Sequence, residues 1–281
     1  MSHNTPNNFL GIEEVRPEDA EVVVLPIPLE ATVSYGSGTG KGPVAIIEAS
    51  KQVETYDHEL GYEIDAQTKI ATLPAVTFPE QNAEKAQPVI TEVAEKWIDK
   101  FILSLGGEHS ITPALASAYQ KKYPDLSILY FDAHTDMREV WEGTKWSHAC
   151  SARRCQEAGI KNIVWVGIRN TALSEQQYIN KEQVNYGNTY DLKKILSQLS
   201  EHVYISFDVD VFDLSTMPAT GTPEPGGISW YQAMEIFEAV TREKNVVGAD
   251  IAECAPISGL HAYDFLVAKL AFKLIGYKFR K

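Results

Sequence analysis

Three strong ligand side chains stand at alternate positions in Phe131-Asp132-Ala133-His134-Thr135-Asp136. On an extended backbone alternate side chains share one face, so Asp132, His134 and Asp136 can converge. Two carboxylates held this close repel each other and lose hydration, and a bound divalent cation is the simplest compensation. Asp208-Val209-Asp210 repeats the spacing, and Gly106-Gly107-Glu108-His109-Ser110 adds a second imidazole. Each piece alone has an ordinary explanation. GGEHS can be a strand-to-helix turn in which Ser110 caps a helix, and an Asp-Val-Asp can be a solvated strand end. Together, His109, Asp132, His134, Asp136, Asp208 and Asp210 point to a metal centre.

These groups need elements that bring them to one place. Each follows an apolar run: 101–105 (FILSL), 126–131 (LSILYF) and 203–207 (VYISF). Such runs read as buried strands of a parallel sheet, whose active residues belong at the carboxyl ends. Further strands are expected at 21–27, 69–76, 162–168, 246–252 and near Val184. Helices are expected at 44–56, 82–100, 112–122, 149–158, 174–180, 190–199, 229–240 and 260–277. Pro43 starts the first of these and Ser229 caps the seventh. About eight strands alternating with helices predict an α/β fold, one parallel sheet with helices on both faces. The whole chain, 1–281, reads as one domain, with 1–20 as a loose arm or surface cap. Residues 30–42 (EATVSYGSGTGKG) do not fit a phosphate-binding P-loop, which needs four residues between Gly and Gly-Lys and a hydroxyl after the Lys. They read as a flexible turn or, alternatively, as a loop that covers substrate.

Composition narrows the partners. A 281-residue chain with 44% hydrophobic residues can bury a large core. Its net charge of −13 argues against a nucleic-acid surface and suits a small cationic substrate. Cys150, Cys155 and Cys254 form no CxxC pair and are odd in number, against a secreted disulfide framework. The polar, acidic start shows no signal-peptide pattern and no apolar run is long enough to span a membrane, so a cytoplasmic location is expected.

Oxygen donors outnumber nitrogens among the six candidates and no thiolate is present, a set that suits Mn²⁺ better than structural Zn²⁺. Six ligands are too many for one catalytic ion with an open position, and suit two ions about 3.5–4 Å apart. Two ions sharing one water can make hydroxide near neutral pH, so the chemistry is metal-assisted hydrolysis. Phosphoester cleavage is the rival, but no Arg/Lys cluster offers to hold a dianion. Glu253, at the end of the last strand, adds a carboxylate that would repel an anion and pair with a planar guanidinium.

GGEHS at 106–110, FDAHTDMR at 131–138, SFDVDVFD at 206–213, PATGTPEPGG at 218–227 and DIAECAP at 250–256 occur in an order that resembles the ureohydrolase (arginase/agmatinase) family. KGPVAIIEAS at 41–50 is similar to the family's N-terminal region. The resemblance covers nearly the whole chain. It implies a three-layer α/β/α fold with a central, mostly parallel eight-stranded sheet. It implies two Mn²⁺ ions and hydrolysis of a guanidino group to urea and an amine. Carried over by position, one ion is held by His109, Asp132, Asp136 and Asp208, the other by His134, Asp132, Asp208 and Asp210. Asp136 would also orient the attacking water, Glu253 would bind the guanidinium, and His148, in WSHA, would be the proton shuttle, a task suited to imidazole. His3, His58, His202 and His261 match no motif and read as structural or surface. Leu214 stands where the family commonly has Pro.

The segment after Asp136, MREVWEGTKWSHA, lacks the Ser-Gly-Asn-type loop with which arginases hold an α-carboxylate and α-amine. It is more similar to bacterial and archaeal agmatinases, which implies agmatine as substrate. Trp141, Glu142 and Trp146 are expected to accept its cationic tail. N1-aminopropylagmatine and guanidinobutyrate are the alternatives, and a non-catalytic regulatory protein of the same fold is the reading from another class. The resemblance also implies a homo-oligomer, a trimer or hexamer.

Overall fold

Short runs of Val, Ile and aromatic residues, apolar on both faces, make the strands, as expected for a sheet covered on both sides. The computed structural model describes residues 7–280. In chain order its elements are β1 (Val22–Ile27), α1 (Gly42–Ser50), β2 (Tyr56–Asp57), β3 (Tyr62–Glu63), α2 (Ile64–Gln67), β4 (Ile70–Thr72), α3 (Ala83–Trp97), β5 (Phe101–Gly106), α4 (Thr112–Lys122) and β6 (Ser127–Phe131). There follow α5 (Ser151–Glu157), β7 (Asn162–Ile168), β8 (Val184–Tyr186), α6 (Leu192–Gln198), β9 (His202–Asp208), α7 (Trp230–Glu243), β10 (Asn245–Ala252) and α8 (Ala262–Lys278). Eight strands form one sheet in the order β4-β1-β5-β10-β9-β6-β7-β8. Every neighbouring pair in it is parallel. The short β2–β3 hairpin, absent from the sequence reading, is antiparallel and separate.

Period-two alternation sends successive side chains to opposite faces of the sheet. Leu129 and Phe131 of β6 join Ile205, Phe207 and Phe237 in one core, which α1, α7 and α8 cover. Ile128 and Tyr130 join Ile102, Trp165 and Tyr204 in the other, under α3, α4 and α5. The result is the three-layer α/β/α arrangement the sequence predicts. Helix starts are capped as physics requires: Asn82 accepts from Lys85 N–H at 3.0 Å, and Ser229 and Gln232 exchange reciprocal hydrogen bonds.

Several expectations change. Residues 8–10 are not loose: Phe9 is fully buried, and the Asn8 amide donates to the Ile70 carbonyl (3.1 Å) and accepts from Thr72 Oγ1 (2.6 Å). Docking there covers the open edge at β4. Residues 1–6, with His3, lie outside the described residues. The first helix ends at Ser50 rather than 56. The helix expected at 174–180 is only a 3₁₀ turn, Leu173–Glu175. There the buried Glu175 carboxylate accepts from the Met137 and Ala172 amides. No helix among the described residues is long and apolar enough to cross a membrane.

Candidate metal centre and catalytic cleft

Four neighbouring strands, β5, β10, β9 and β6, end side by side. His109 follows β5, Glu253 follows β10, Asp208 closes β9 with Asp210 just beyond, and Asp132, His134 and Asp136 follow β6. The turn after β5 needs its second glycine. A Cβ on Gly107 would lie 2.0 Å from the Leu29 carbonyl oxygen, and the Gly107 carbonyl accepts from Glu253 N–H at 2.7 Å. Asp136 (φ 49°) and Glu253 (φ 66°) hold left-handed backbone, a conformation that costs free energy for residues with a Cβ and clusters at functional sites.

All six sequence-predicted ligand residues converge. His109 Nδ1 lies 3.1 Å from Asp132 Oδ2 and 3.3 Å from both Asp136 Oδ2 and Asp208 Oδ2. His134 Nδ1 lies 2.9 Å from Asp210 Oδ2 and 3.4 Å from Asp132 Oδ1. Two clusters with ligand atoms within 4.8 Å of one another result: His109, Asp132 and Asp208, and Asp132, His134 and Asp210. Asp132 belongs to both, the position the resemblance gives a bridging carboxylate. Asp208, the other expected bridge, falls only in the first cluster, and its Oδ1 accepts from Asp210 N–H at 2.8 Å. Asp136 falls in neither and approaches His109 from the Tyr130 side.

The donor set fits divalent cations. Asp132 Oδ2, fully buried, makes no hydrogen bond of acceptable geometry even with His109 Nδ1 beside it. Burial, and then Asp136 and Asp210, push the Asp132 carboxyl up to about 7. Burial, Asp210 and Asp132 likewise push Asp208 well above the carboxylate range. Burial alone would lower His109 and His134, but the surrounding carboxylates overcome it, raising His109 strongly and His134 to about 12. A cluster that must hoard protons to balance its charge is one that a cation would satisfy better. Behind it, His109 Nε2 lies 2.8 Å from Ser206 Oγ, which donates to the buried Asp250 (3.0 Å). Such outer contacts fix the orientation of an imidazole ligand.

Glu253 Oε1 accepts from His109 N–H at 2.7 Å and the residue faces the same cleft. Burial, reinforced by the charge of Glu108, pushes its carboxyl up to about 8. His148 starts a 3₁₀ turn and lines the cleft opposite. Residues 33–36 of the 30–42 loop form one wall. Of the three residues expected to meet the substrate tail, only Trp141 lines the cleft. The Arg138 guanidinium lies 4.0 Å from its ring centre, so that face already carries a cation. Trp146 lines a different surface groove, and Glu142 is an exposed left-handed turn residue. Elsewhere His202 stacks on Tyr123 and pairs with Asp125, while His58 and His261 are exposed.

Sequence reasoning passed over Tyr130, whose hydroxyl donates to Asp136 Oδ2 (2.8 Å) and whose ring stacks on His109. Its position, two before Asp132 on the same strand face, was the available signal. Ser110, which would cap a helix on the ordinary reading of GGEHS alone, hydrogen-bonds Glu108.

Residues 20–276 match the arginase family, and the chain belongs to that family of metal-dependent hydrolases. It is 36% identical over 288 residues to an N(1)-aminopropylagmatine ureohydrolase of Synechocystis sp., covering 97% of this chain and 94% of the relative. It is 36% identical over 268 residues to an agmatinase of Pyrococcus horikoshii, covering 92% of each. The agmatine ureohydrolase of Thermoplasma volcanium superposes with a TM-score of 0.87 at 28% identity, covering 99% of this chain and 96% of that one. The chain is thus a ureohydrolase of the arginase family.

Proposed function

We propose that this enzyme hydrolyses agmatine to putrescine and urea with two Mn²⁺ ions, held by His109, Asp132, Asp136, Asp208, His134 and Asp210. The observation that carries this reading is the convergence of those six side chains, Asp136 through its 3.3 Å approach to His109, at the floor of a cleft that Glu253 and His148 line. Bound there, a pair of divalent ions would supply hydroxide near neutral pH and stabilise negative charge on the way to products.

The remaining work falls to side chains of the protein. Glu253 anchors the guanidinium by charge-assisted hydrogen bonds, its backbone held by Gly107 and its carboxylate oriented by the His109 amide. Asp136, fixed by Tyr130, orients the attacking water. His148 protonates the departing amine nitrogen as its bond to carbon breaks. The balance is one guanidinium and one water giving one urea and one alkylammonium.

The tail of the substrate is the finer question. The aminopropylagmatine-named relative, at the same 36% identity as the agmatinase, favours the longer polyamine as a second reading. Arg138, a cation in the cleft wall, favours guanidinobutyrate. Urea release and product identification with agmatine, aminopropylagmatine, arginine and guanidinobutyrate, side by side with added Mn²⁺, tests the assignment. Turnover of agmatine below that of the others refutes the choice of tail, and no urea from any of them refutes the activity.

A further inference from the structure

The arrangement behind His148 has a direction built into it, because hydroxyl protons are limited. Glu108, fully buried, collects four donors. The backbone amides of Ala31 and Thr32 reach Oε2 at 2.7 and 2.6 Å. The hydroxyls of Thr32 (2.8 Å) and Ser110 reach Oε1. A hydroxyl has one proton and two lone pairs. With its proton given to Glu108, Thr32 Oγ1 can only accept from whatever lies on its other side. That neighbour is His148 twice over: the His148 backbone N–H at 3.0 Å and ring Nδ1 at 3.2 Å. Nδ1 must therefore carry a proton, and all three positions on the Thr32 hydroxyl are used. The other polar atoms near the ring are Ser147 Oγ, 3.4 Å from Nδ1, and Ser34 Oγ, 3.4 Å from Nε2. Both contacts are longer than the 3.2 Å Thr32 contact.

We infer that Thr32, locked by Glu108, is a positioning residue that sets the tautomer and orientation of His148. Nδ1 stays protonated throughout, and Nε2 alone exchanges a proton with the cleft. During turnover the proton on Nε2 passes to the amine nitrogen as its bond to carbon breaks. The bond pair stays on that nitrogen, and the ring returns neutral with Nδ1–H still facing Thr32. Glu108 reaches the proton carrier through one hydroxyl, and it also anchors the backbone of the loop that walls the cleft. This inference rests on the proposed role of His148.

The test is a double-mutant cycle on the Mn²⁺-loaded enzyme, measuring urea release from agmatine and from aminopropylagmatine. His148→Ala is expected to lower kcat about 10²-fold. Thr32→Val keeps the amide to Glu108 but removes the hydroxyl. It is expected to lower kcat on the order of tenfold, with KM and metal content little changed. Thr32→Ser restores the hydroxyl and should recover most of that loss. In the His148→Ala background, Thr32→Val should cost nothing more, since residues acting as a unit are non-additive. An equal further loss in that background, or a Thr32→Ser variant as impaired as Thr32→Val, overturns the inference while leaving the role of His148 intact. An active His148→Ala enzyme overturns the proton-donor role, and the inference with it.

Discussion

Replacing Glu253 with Gln tests the cleft at the point where electrostatics and geometry separate most cleanly. The amide keeps an oxygen to accept the His109 N–H, now 2.7 Å away, so the backbone beneath the metal centre need not move. What is lost is the negative charge opposite a guanidinium. Hydrogen bonds to charged groups contribute about 1.5–3 kcal/mol, and unpairing a buried charge costs about 3–5 kcal/mol. A loss of about 3 kcal/mol is on the order of 10²-fold in kcat/KM. The expected result is therefore a fall in kcat/KM on the order of 10²-fold, with bound metal unchanged. Folding stability should not suffer, because Glu253 is already raised to about 8 by burial and by Glu108, and its charge is a liability in the free protein. Steady-state urea release, metal analysis and a melting curve supply the three readouts. An unchanged kcat/KM removes Glu253 from the substrate site. A variant that instead sheds its metal would show that the carboxylate supports the cluster rather than the guanidinium.

Asp208→Ala should lose bound metal and urea release together, since Asp208 Oδ2 shares the His109 cluster; wild-type-like turnover would refute the ligand set. Chelation should lower the melting temperature and Mn²⁺ should restore it, because an ion bound only by the folded state stabilises it. An unaltered melt would contradict a cation site in this cluster. A third expectation concerns acid. Burial acts against the Asp57 carboxylate, but the Leu60 amide and then Lys273 outweigh it, so its folded value lies below the ordinary 3.8. Glu59 is also lowered, burial being overcome by Lys273 and Tyr277. A depressed folded value means stability that is complete above the unfolded one and lost as pH falls through the folded one. The window is therefore below about pH 4.5, the ordinary value for Glu59. Asp57→Asn should melt lower at pH 7 and lose less on acidification over that window; parallel melting curves would refute the pairing.

The layout of the sheet was legible because its strands are apolar on both faces and end in ligand-bearing turns. LSILYF followed by Asp-x-His-x-Asp carries both facts in eleven residues. Local spacing also placed Ser229 at a helix start. Contacts made across long separations were not legible. Thr32 and Glu108 are 76 residues apart, and nothing local marks either as the other's partner. Arg138 and Trp141 stand three apart, yet only the fold of their loop lays one over the other. The β2–β3 hairpin has two-residue strands, too short for periodicity to register, and it is tied to α8 by the buried Lys273 meeting Asp57 and Glu59. Phe9 and Leu10 sit in a polar, acidic leader whose composition disguises two anchoring residues.

Strand order carries one more consequence. β5 and β6 are consecutive strands of the chain but are held apart by β9 and β10, which come later in sequence than both. A nascent chain that has emerged only through residue 200 owns His109, Asp132, His134 and Asp136 but has no wall between them. The gap is filled only by the segment from β9 through β10, which brings Asp208, Asp210 and Glu253. Any fragment stopping short of β10 is thus incapable of assembling the cleft.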